Sequence, residues 1–356
     1  MSRFLSPRFA GLSEYVPGEQ PRDQKYIKLN TNESPYPPSQ GVLDAVNAAE
    51  VAKLNLYSDP DARDLRAALS ARYGVGPDEI FLSNGSDDIL NFCFMAFCDQ
   101  NTPVVFPEIT YGFYEVYANL YGLNYTKIPV RPDFSVDPDD YCGVGKTVVL
   151  ANPNAQTGLS LPRTDIERIV RSNPGNVVVA DEAYVDFGGE SAAALTRKYD
   201  NLLVVMTFSK SRSLAGARLG FAIGPKGLIA DLEKIKYSTN PYNLNRLTQL
   251  AGVAALRDRA YYDENCKKIM ATRKKTREAL FALGFSCTDS RSNFLLASSP
   301  DIPGGELYET LKKAGILVRH FTDPKIENAV RITIGAPEQM DALLAAIRQI
   351  LNDRKA

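Results

Sequence analysis

Val177-Val178-Val179-Ala180-Asp181-Glu182-Ala183-Tyr184 places four apolar residues directly before two carboxylates and a tyrosine. An uninterrupted β-branched run has no polar face. It therefore reads as a strand covered on both sides, as in a parallel-rich sheet flanked by helices. Three other runs share this form: Thr147-Val148-Val149-Leu150, Leu202-Leu203-Val204-Val205-Met206 and Leu219-Gly220-Phe221-Ala222-Ile223. The segment 164–172 has helical spacing between the first two strands. Polar residues cluster after the runs, where open α/β sheets place their ligands. The predicted class is α/β, with a mostly parallel central sheet flanked by helices in a large domain.

Towards the N-terminus, Asp59-Pro60 reads as the start of a helix, with Asp59 as N-cap and Pro60 in the first turn. Leu65, Leu69 and Tyr73 share a face of that helix, and Gly74 ends it. Strands are predicted at 79–83 and 104–107, and helices at 88–98 and 111–121. Residues 1–40 are polar and rich in proline and glycine, an irregular arm rather than an independent unit. Towards the C-terminus the pattern changes. Helices at 244–256 and 261–283 are followed by strand 293–297, helix 305–314, strands 317–320 and 329–334, and a final amphipathic helix at 337–351. This order predicts a smaller α+β domain. The expected division is a large domain of residues 40–250 and a small one built from 1–39 and 251–356.

Composition removes several function classes. Lys plus Arg number 41 against 42 Asp plus Glu, so there is no global field to hold a polyanion and no nucleic-acid partner is expected. His320 is the only histidine, which excludes two-His metal motifs, and no metal is expected. Cysteines 93, 98, 142, 266 and 287 form no CxxC pair and read as reduced thiols of a cytoplasmic protein. The opening residues lack the apolar core of a signal peptide, and no run approaches the roughly 18 apolar residues of a membrane span. Gly143-Val144-Gly145-Lys146-Thr147 looks like the end of a P-loop, but it precedes a strand and Asp140 stands where the first glycine belongs.

Five polar features remain. Asn152-Pro153-Asn154-Ala155-Gln156-Thr157-Gly158, Asp181-Glu182-Ala183-Tyr184 and Thr207-Phe208-Ser209-Lys210 follow three of the runs. Arg218 precedes the fourth, and Gly85-Ser86-Asp87 opens a helix. A carboxylate, a lysine, an arginine and a helix N-terminus together suit one cationic ring and one phosphate. Pyridoxal phosphate has those needs: lysine forms a Schiff base with its aldehyde, aspartate keeps its ring nitrogen protonated, and a helix N-terminus holds its phosphate.

The runs NPNAQTG, ADEAYVDF and TFSKSRSLAGARLGF, in this order, resemble three successive signatures of the fold-type I aminotransferases. Tyr15-Val16-Pro17-Gly18, Leu29-Asn30-Thr31-Asn32-Glu33-Ser34-Pro35, Tyr57-Ser58-Asp59-Pro60, PEITYG at 107–112 and Val330-Arg331-Ile332-Thr333-Ile334-Gly335 narrow the resemblance to the histidinol-phosphate aminotransferases, over about residues 12–350.

The resemblance implies the pyridoxal 5′-phosphate-dependent transferase fold and a homodimer. It implies transamination between histidinol phosphate and 2-oxoglutarate in histidine biosynthesis, through a Lys210 aldimine and a 1,3-proton shift. Asp181 would pair with the pyridinium, Tyr184 and Asn154 would hydrogen-bond the ring O3′, and Tyr111 would stack on the ring. Gly85, Ser86, Asp87, Thr207, Ser209 and Arg218 would hold the phosphate. Tyr57 would reach the phosphate in the neighbouring subunit. Arg331, helped by Arg319 and Tyr15, would bind the anionic end of the substrate, a phosphorylated amine or amino acid in one half-reaction and glutamate or 2-oxoglutarate in the other. Two alternatives share this frame: an aromatic or other amino-acid aminotransferase, and a threonine-phosphate decarboxylase. The chain also departs from the family pattern, with Ala155-Gln156 standing where Asn-Pro is usual.

Overall fold

The computed structural model describes residues 3–354; residues 1, 2, 355 and 356, the outer ends of the expected small domain, lie outside the described residues. Along the chain come β1 (Ile27–Lys28), α1 (Gln40–Ala45), α2 (Ala48–Val51), α3 (Arg63–Tyr73), β2 (Ile80–Ser83), α4 (Ser86–Phe97), β3 (Val104–Pro107), α5 (Phe113–Tyr121) and β4 (Tyr125–Ile128). β5 (Thr147–Ala151), α6 (Arg163–Ser172), β6 (Val178–Asp181), β7 (Leu202–Thr207), β8 (Gly220–Ile223), α7 (Lys226–Thr239) and α8 (Arg246–Arg257) follow. The last third holds α9 (Arg259–Ala282), β9 (Ser286–Cys287), β10 (Phe294–Ser298), α10 (Gly304–Lys313), β11 (Ile316–Leu317), β12 (Arg319–His320), β13 (Ala329–Thr333) and α11 (Pro337–Asp353).

Seven strands form the central sheet in the order β2-β8-β7-β6-β5-β3-β4. β4, β3, β5, β6 and β7 pair in parallel, whereas β8 runs antiparallel to both β7 and β2. Alternate residues of each central strand enter opposite cores, as the two-residue period requires. Val178, Leu202 and Val204 pack with Leu65, Leu69 and Ile169 on one face. Val179, Leu203 and Val205 pack with Leu90, Tyr114 and Leu232 on the other. Each such side chain contributes about 1.5–3 kcal/mol by leaving water, so register and coverage are strongly specified.

A four-stranded antiparallel sheet, β12-β13-β10-β9, packs with α10 and α11 around a separate core. The arm joins this body through β1, which pairs in parallel with β11. α9 serves both bodies: Tyr262 belongs to the first core, and Cys266, Ile269 and Leu280 to the second. Residue 250 falls inside α8, whose Ala251, Ala254 and Ala255 pack in the first core. Among the described residues no helix is long and apolar enough to cross a membrane.

Three local expectations change. α3 begins at Arg63, not at Asp59; Ala62 sits in the left-handed region, and Asp59 Oδ2 accepts from the Arg63 N–H at 3.1 Å from one turn outside. The strand expected at 317–320 divides at Val318, so that Ile316–Leu317 pairs with β1 and Arg319–His320 with β13. β4 and α7 were not anticipated; β4 is a short edge strand, half-exposed, with the burial of neither a core nor an amphipathic strand.

Candidate active site

The C-terminal ends of β6 and β7 and the N-terminus of α4 converge on a cavity of about 920 Å³. Asp181 ends β6 and is 4% exposed. Its Oδ2 accepts from the Tyr114 hydroxyl at 2.7 Å and its Oδ1 from the Ala183 N–H at 3.2 Å. Burial pushes its pKa up to about 6, against the pull of those two donors. No lysine or arginine of the described residues forms an ion pair with it. A buried carboxylate that faces a cavity and has no cation paired with it suits a ligand that brings one.

Lys210 lies three residues beyond β7, with Nζ donating to the Thr31 carbonyl at 3.1 Å. Burial, and then the positive charge of Arg331, lower its pKa to about 8. Its amine lies 5.9 Å from the centre of the Tyr184 ring.

The anion cradle is built by backbone. Gly85 has φ +90° just before α4, a conformation that favours glycine. Gly220 at the start of β8 presses against the same turn: a Cβ there would come within 2.4 Å of Gly85 C and 2.5 Å of Ser86 N. The two glycines thereby set the first N–H groups of α4 at the cavity, where the helix dipole favours an anion. Ser86, Asp87, Thr207, Ser209 and Arg218 line the same end. Arg218 Nη2 donates to Asp87 Oδ2 at 2.9 Å, and the other Asp87 oxygen accepts from Tyr111 at 2.7 Å. Asp87 thus holds a cation and a ring in place through its side chain.

At the opposite end Arg331 is partly buried between the rings of Phe294 and Phe321. Its Nη1 donates to the Ala155 carbonyl at 2.8 Å and to Gln156 Oε1 at 3.2 Å, while its buried Nε has no partner. Arg319 is engaged with the arm, donating to the Val16 and Pro17 carbonyls. Tyr15 stacks on Phe113 with ring centres 4.1 Å apart and walls the cavity between the two arginines.

Two expected residues stand elsewhere. Asn154 does not line the cavity: its Nδ2 donates to the Ile109 carbonyl and its Oδ1 caps the N–H groups of Gln156 and Thr157. It holds the loop, and Ala155 and Gln156 face inward instead. Tyr57 is 80% exposed and stacks on Tyr242, outside this protomer's cavity. Four contributors had no assigned role: Tyr114, Asn32, Gln156 and Thr333. The helix expected at 111–121 begins at Phe113, so Tyr111 lies just outside it, and Tyr114 shares a buried helical face with Tyr117.

The unpaired buried Asp181, the glycine cradle and the unpartnered Arg331 Nε fit pyridoxal 5′-phosphate carrying an anionic substrate. Fold and site together define a fold-type I aminotransferase that uses this cofactor. The family model for aminotransferase class I and II matches residues 24–347. The chain is 49% identical over 354 residues to a histidinol-phosphate aminotransferase of Brachyspira hyodysenteriae, covering 99% of this chain and 100% of that one. It is 48% identical to histidinol-phosphate aminotransferase 2 of Dechloromonas aromatica, over 98% and 99% of the two chains. The histidinol-phosphate aminotransferase of Sinorhizobium meliloti, solved with pyridoxal 5′-phosphate, shares the fold at TM-score 0.88 and 23% identity, over 99% of this chain and 98% of that one. The chain belongs to the class I and II aminotransferases, within the histidinol-phosphate aminotransferase family.

Proposed function

We propose that this chain exchanges an amino group between histidinol phosphate and 2-oxoglutarate. The observation that carries the reading is the partly buried Arg331, held through Nη1 by Ala155 and Gln156 and through Nη2 by the Asn30 carbonyl, and unpartnered at Nε. A planar guanidinium can fork onto a phosphate in one half-reaction and a carboxylate in the other.

Bound pyridoxal phosphate supplies an electron sink for charge released at the substrate's Cα. Asp181 holds a proton on the ring nitrogen. Lys210 would hold the aldehyde and carry the proton at Cα; its lowered pKa makes the neutral, basic form accessible near neutral pH. Ser86, Thr207, Ser209 and Arg218 anchor the phosphate, Tyr111 flanks the ring, and Tyr184 donates to the ring oxygen. Tyr15 and Arg319 help to seat the substrate and exclude water.

The exposed strip of Leu43, Val51, Leu54, Leu56 and Tyr57 supports a homodimer in which Tyr57 reaches the neighbouring phosphate site. Five free cysteines support a cytoplasmic location. The division would fall near residue 250, with the rest of α8 and the start of α9 packing in the core of the large domain and 1–39 with the remaining C-terminal residues forming the small one.

A single-turnover spectral assay tests the reading. The cofactor-loaded protein is mixed separately with histidinol phosphate, phenylalanine and threonine phosphate. Rapid conversion of the cofactor to its amino form by histidinol phosphate is expected. Conversion by phenylalanine alone, or release of CO₂ from threonine phosphate alone, overturns it.

A further inference from the structure

Asn32 lies in the arm-side segment, 1% exposed, with φ 56°. Its side chain ends against the hydroxyl of Tyr184, with Nδ2 and Oη 3.0 Å apart. Its other amide atom, Oδ1, lies 2.9 Å from Thr333 Oγ1, and the Asn32 backbone N–H lies 3.0 Å from the same oxygen.

These three contacts determine where the hydrogens sit. The Asn32 N–H can only donate, so Thr333 Oγ1 accepts it. The single Thr333 hydroxyl proton is directed at its other neighbour, the amide oxygen Oδ1 at 2.9 Å. The opposite end of the amide is therefore NH₂, and it donates to Tyr184 Oη. With that lone pair occupied, the phenolic proton of Tyr184 is free to point elsewhere, and Tyr184 lines the cavity beside Lys210. The Asn32 carbonyl is itself held by Asn293 Nδ2 at 3.0 Å, which keeps the backbone in its left-handed conformation.

We propose that Thr333 and Asn32 are positioning residues: a two-step hydrogen-bond chain that aims the Tyr184 hydroxyl proton into the cofactor cavity. The assignment rests on the reading of the cavity as a pyridoxal phosphate site. The cofactor's ring oxygen is next to the carbon that Lys210 bonds, so a hydroxyl beside Lys210 is placed to serve it. Donation to that oxygen favours its anionic form and lowers the pH at which the bound chromophore loses its proton. Thr333 stands two residues after Arg331 on β13, so one strand carries both the substrate-anion ligand and the start of this chain. Without the Thr333 hydroxyl the Asn32 amide is no longer held in one orientation. Once turned over, it presents oxygen to Tyr184 and takes the phenolic proton away from the cavity.

The test measures the pH midpoint of the bound cofactor's visible absorbance, together with cofactor affinity by titration of the cofactor-free protein. Thr333→Val keeps the side-chain volume and removes the hydroxyl. The midpoint should rise by roughly half a unit to one unit. Cofactor affinity should fall several-fold, and kcat should fall with KM nearly unchanged. Thr333→Ser should restore the wild-type midpoint. Thr333→Ala serves if the valine variant does not fold, with the same shift expected. In a Tyr184→Phe background, Thr333→Val should add no further shift, because its effect passes through the missing hydroxyl. An unchanged midpoint in both Thr333 variants, or a full additional shift in the Tyr184→Phe background, overturns the proposal. A wild-type protein that binds no pyridoxal phosphate would instead overturn the reading of the cavity.

Discussion

The hydroxyl of Tyr114 stands 2.7 Å from Asp181 Oδ2, and both groups are buried beneath the cavity floor. A neutral donor thus satisfies the carboxylate oxygen that no cation of the described chain reaches. It does so from the helix that also delivers Tyr117 to Asp87, while Tyr111, just before that helix, reaches the same aspartate.

Removing that donor should make Asp181 easier to protonate. Burial already raises its pKa to about 6, and the Tyr114 hydrogen bond opposes the rise. Tyr114→Phe should move upward, by about half a unit or more, the acid limb of the pH profile for pyridoxal phosphate capture by the cofactor-free protein, and lower kcat about tenfold. An acid limb that stays in place would show that Tyr114 only packs.

Lys210 must lose a proton before it can bond the cofactor. With its pKa near 8, the rate at which the cofactor-free protein captures pyridoxal phosphate should climb with pH and level off above about 8. Lys210→Ala should retain noncovalent binding and lose about 10²–10⁴-fold in transamination. Stopped-flow absorbance reads the first, and a coupled assay the second. Near-normal turnover by the alanine variant would remove Lys210 from the chemistry.

Gly220→Ala should damage the phosphate end without touching a charged group. The added methyl meets the Gly85 and Ser86 backbone, which has nowhere to move. A loss of about 1–3 kcal/mol in stability is expected, accompanied by weaker cofactor binding. Thermal melts with and without pyridoxal phosphate separate the two effects.

Gln156→Glu places a carboxylate where an amide oxygen now accepts from Arg331. KM for both anionic substrates should rise about tenfold, while kcat changes less, because the lost interaction is present in ground and transition states alike. Steady-state kinetics with each substrate in turn test this, and unchanged KM values would show that Gln156 does not tune Arg331.

Glu182 gives a pH signature in the cofactor-free protein. It is fully buried, held by Ser191 Oγ and the Ala192 N–H at 2.6 Å each, and burial pushes its pKa up to about 8. The folded state therefore keeps a proton that the unfolded state releases near the ordinary carboxyl value. That stability is fully present at pH 4 and is lost as pH rises towards about 8. Glu182→Gln should leave the melting temperature at pH 5 nearly unchanged and raise it at pH 9. Equal effects at both pH values would contradict the assignment.

Much of the large domain was legible because burial on both faces of a sheet leaves an unbroken apolar run. The direction of β8 was not, since such a run records coverage and not polarity. The clue was the connection: only a loop and a single short turn lie between β7 and β8, too little for the crossover helix that a parallel return requires. Lys210, Asp181 and Arg218 were readable as charges beside buried strands, and Arg331 only through the family resemblance that its motif carries. Tyr114, Asn32 and Thr333 act through hydrogen bonds between distant segments, and an uncharged side chain in a run of similar residues carries no mark of such a partner. Asn154 misled for a related reason: its place in the motif was right, but its amide satisfies backbone groups of its own loop.

The pairing of β1 with β11 also governs timing. The two strands are separated by almost the whole chain, and the Thr333–Asn32 contact spans a similar interval. During synthesis β1 has no strand partner until β11 has been made, although the arm's contacts with Phe113 and Tyr184 involve segments made earlier. The large-domain sheet can close from shorter-range contacts meanwhile. β1 is thus made long before the strand it pairs with. A nascent chain stalled before residue 316 should carry a folded sheet and an unpaired, protease-sensitive β1 segment, with a cofactor pocket still lacking its anion-binding wall.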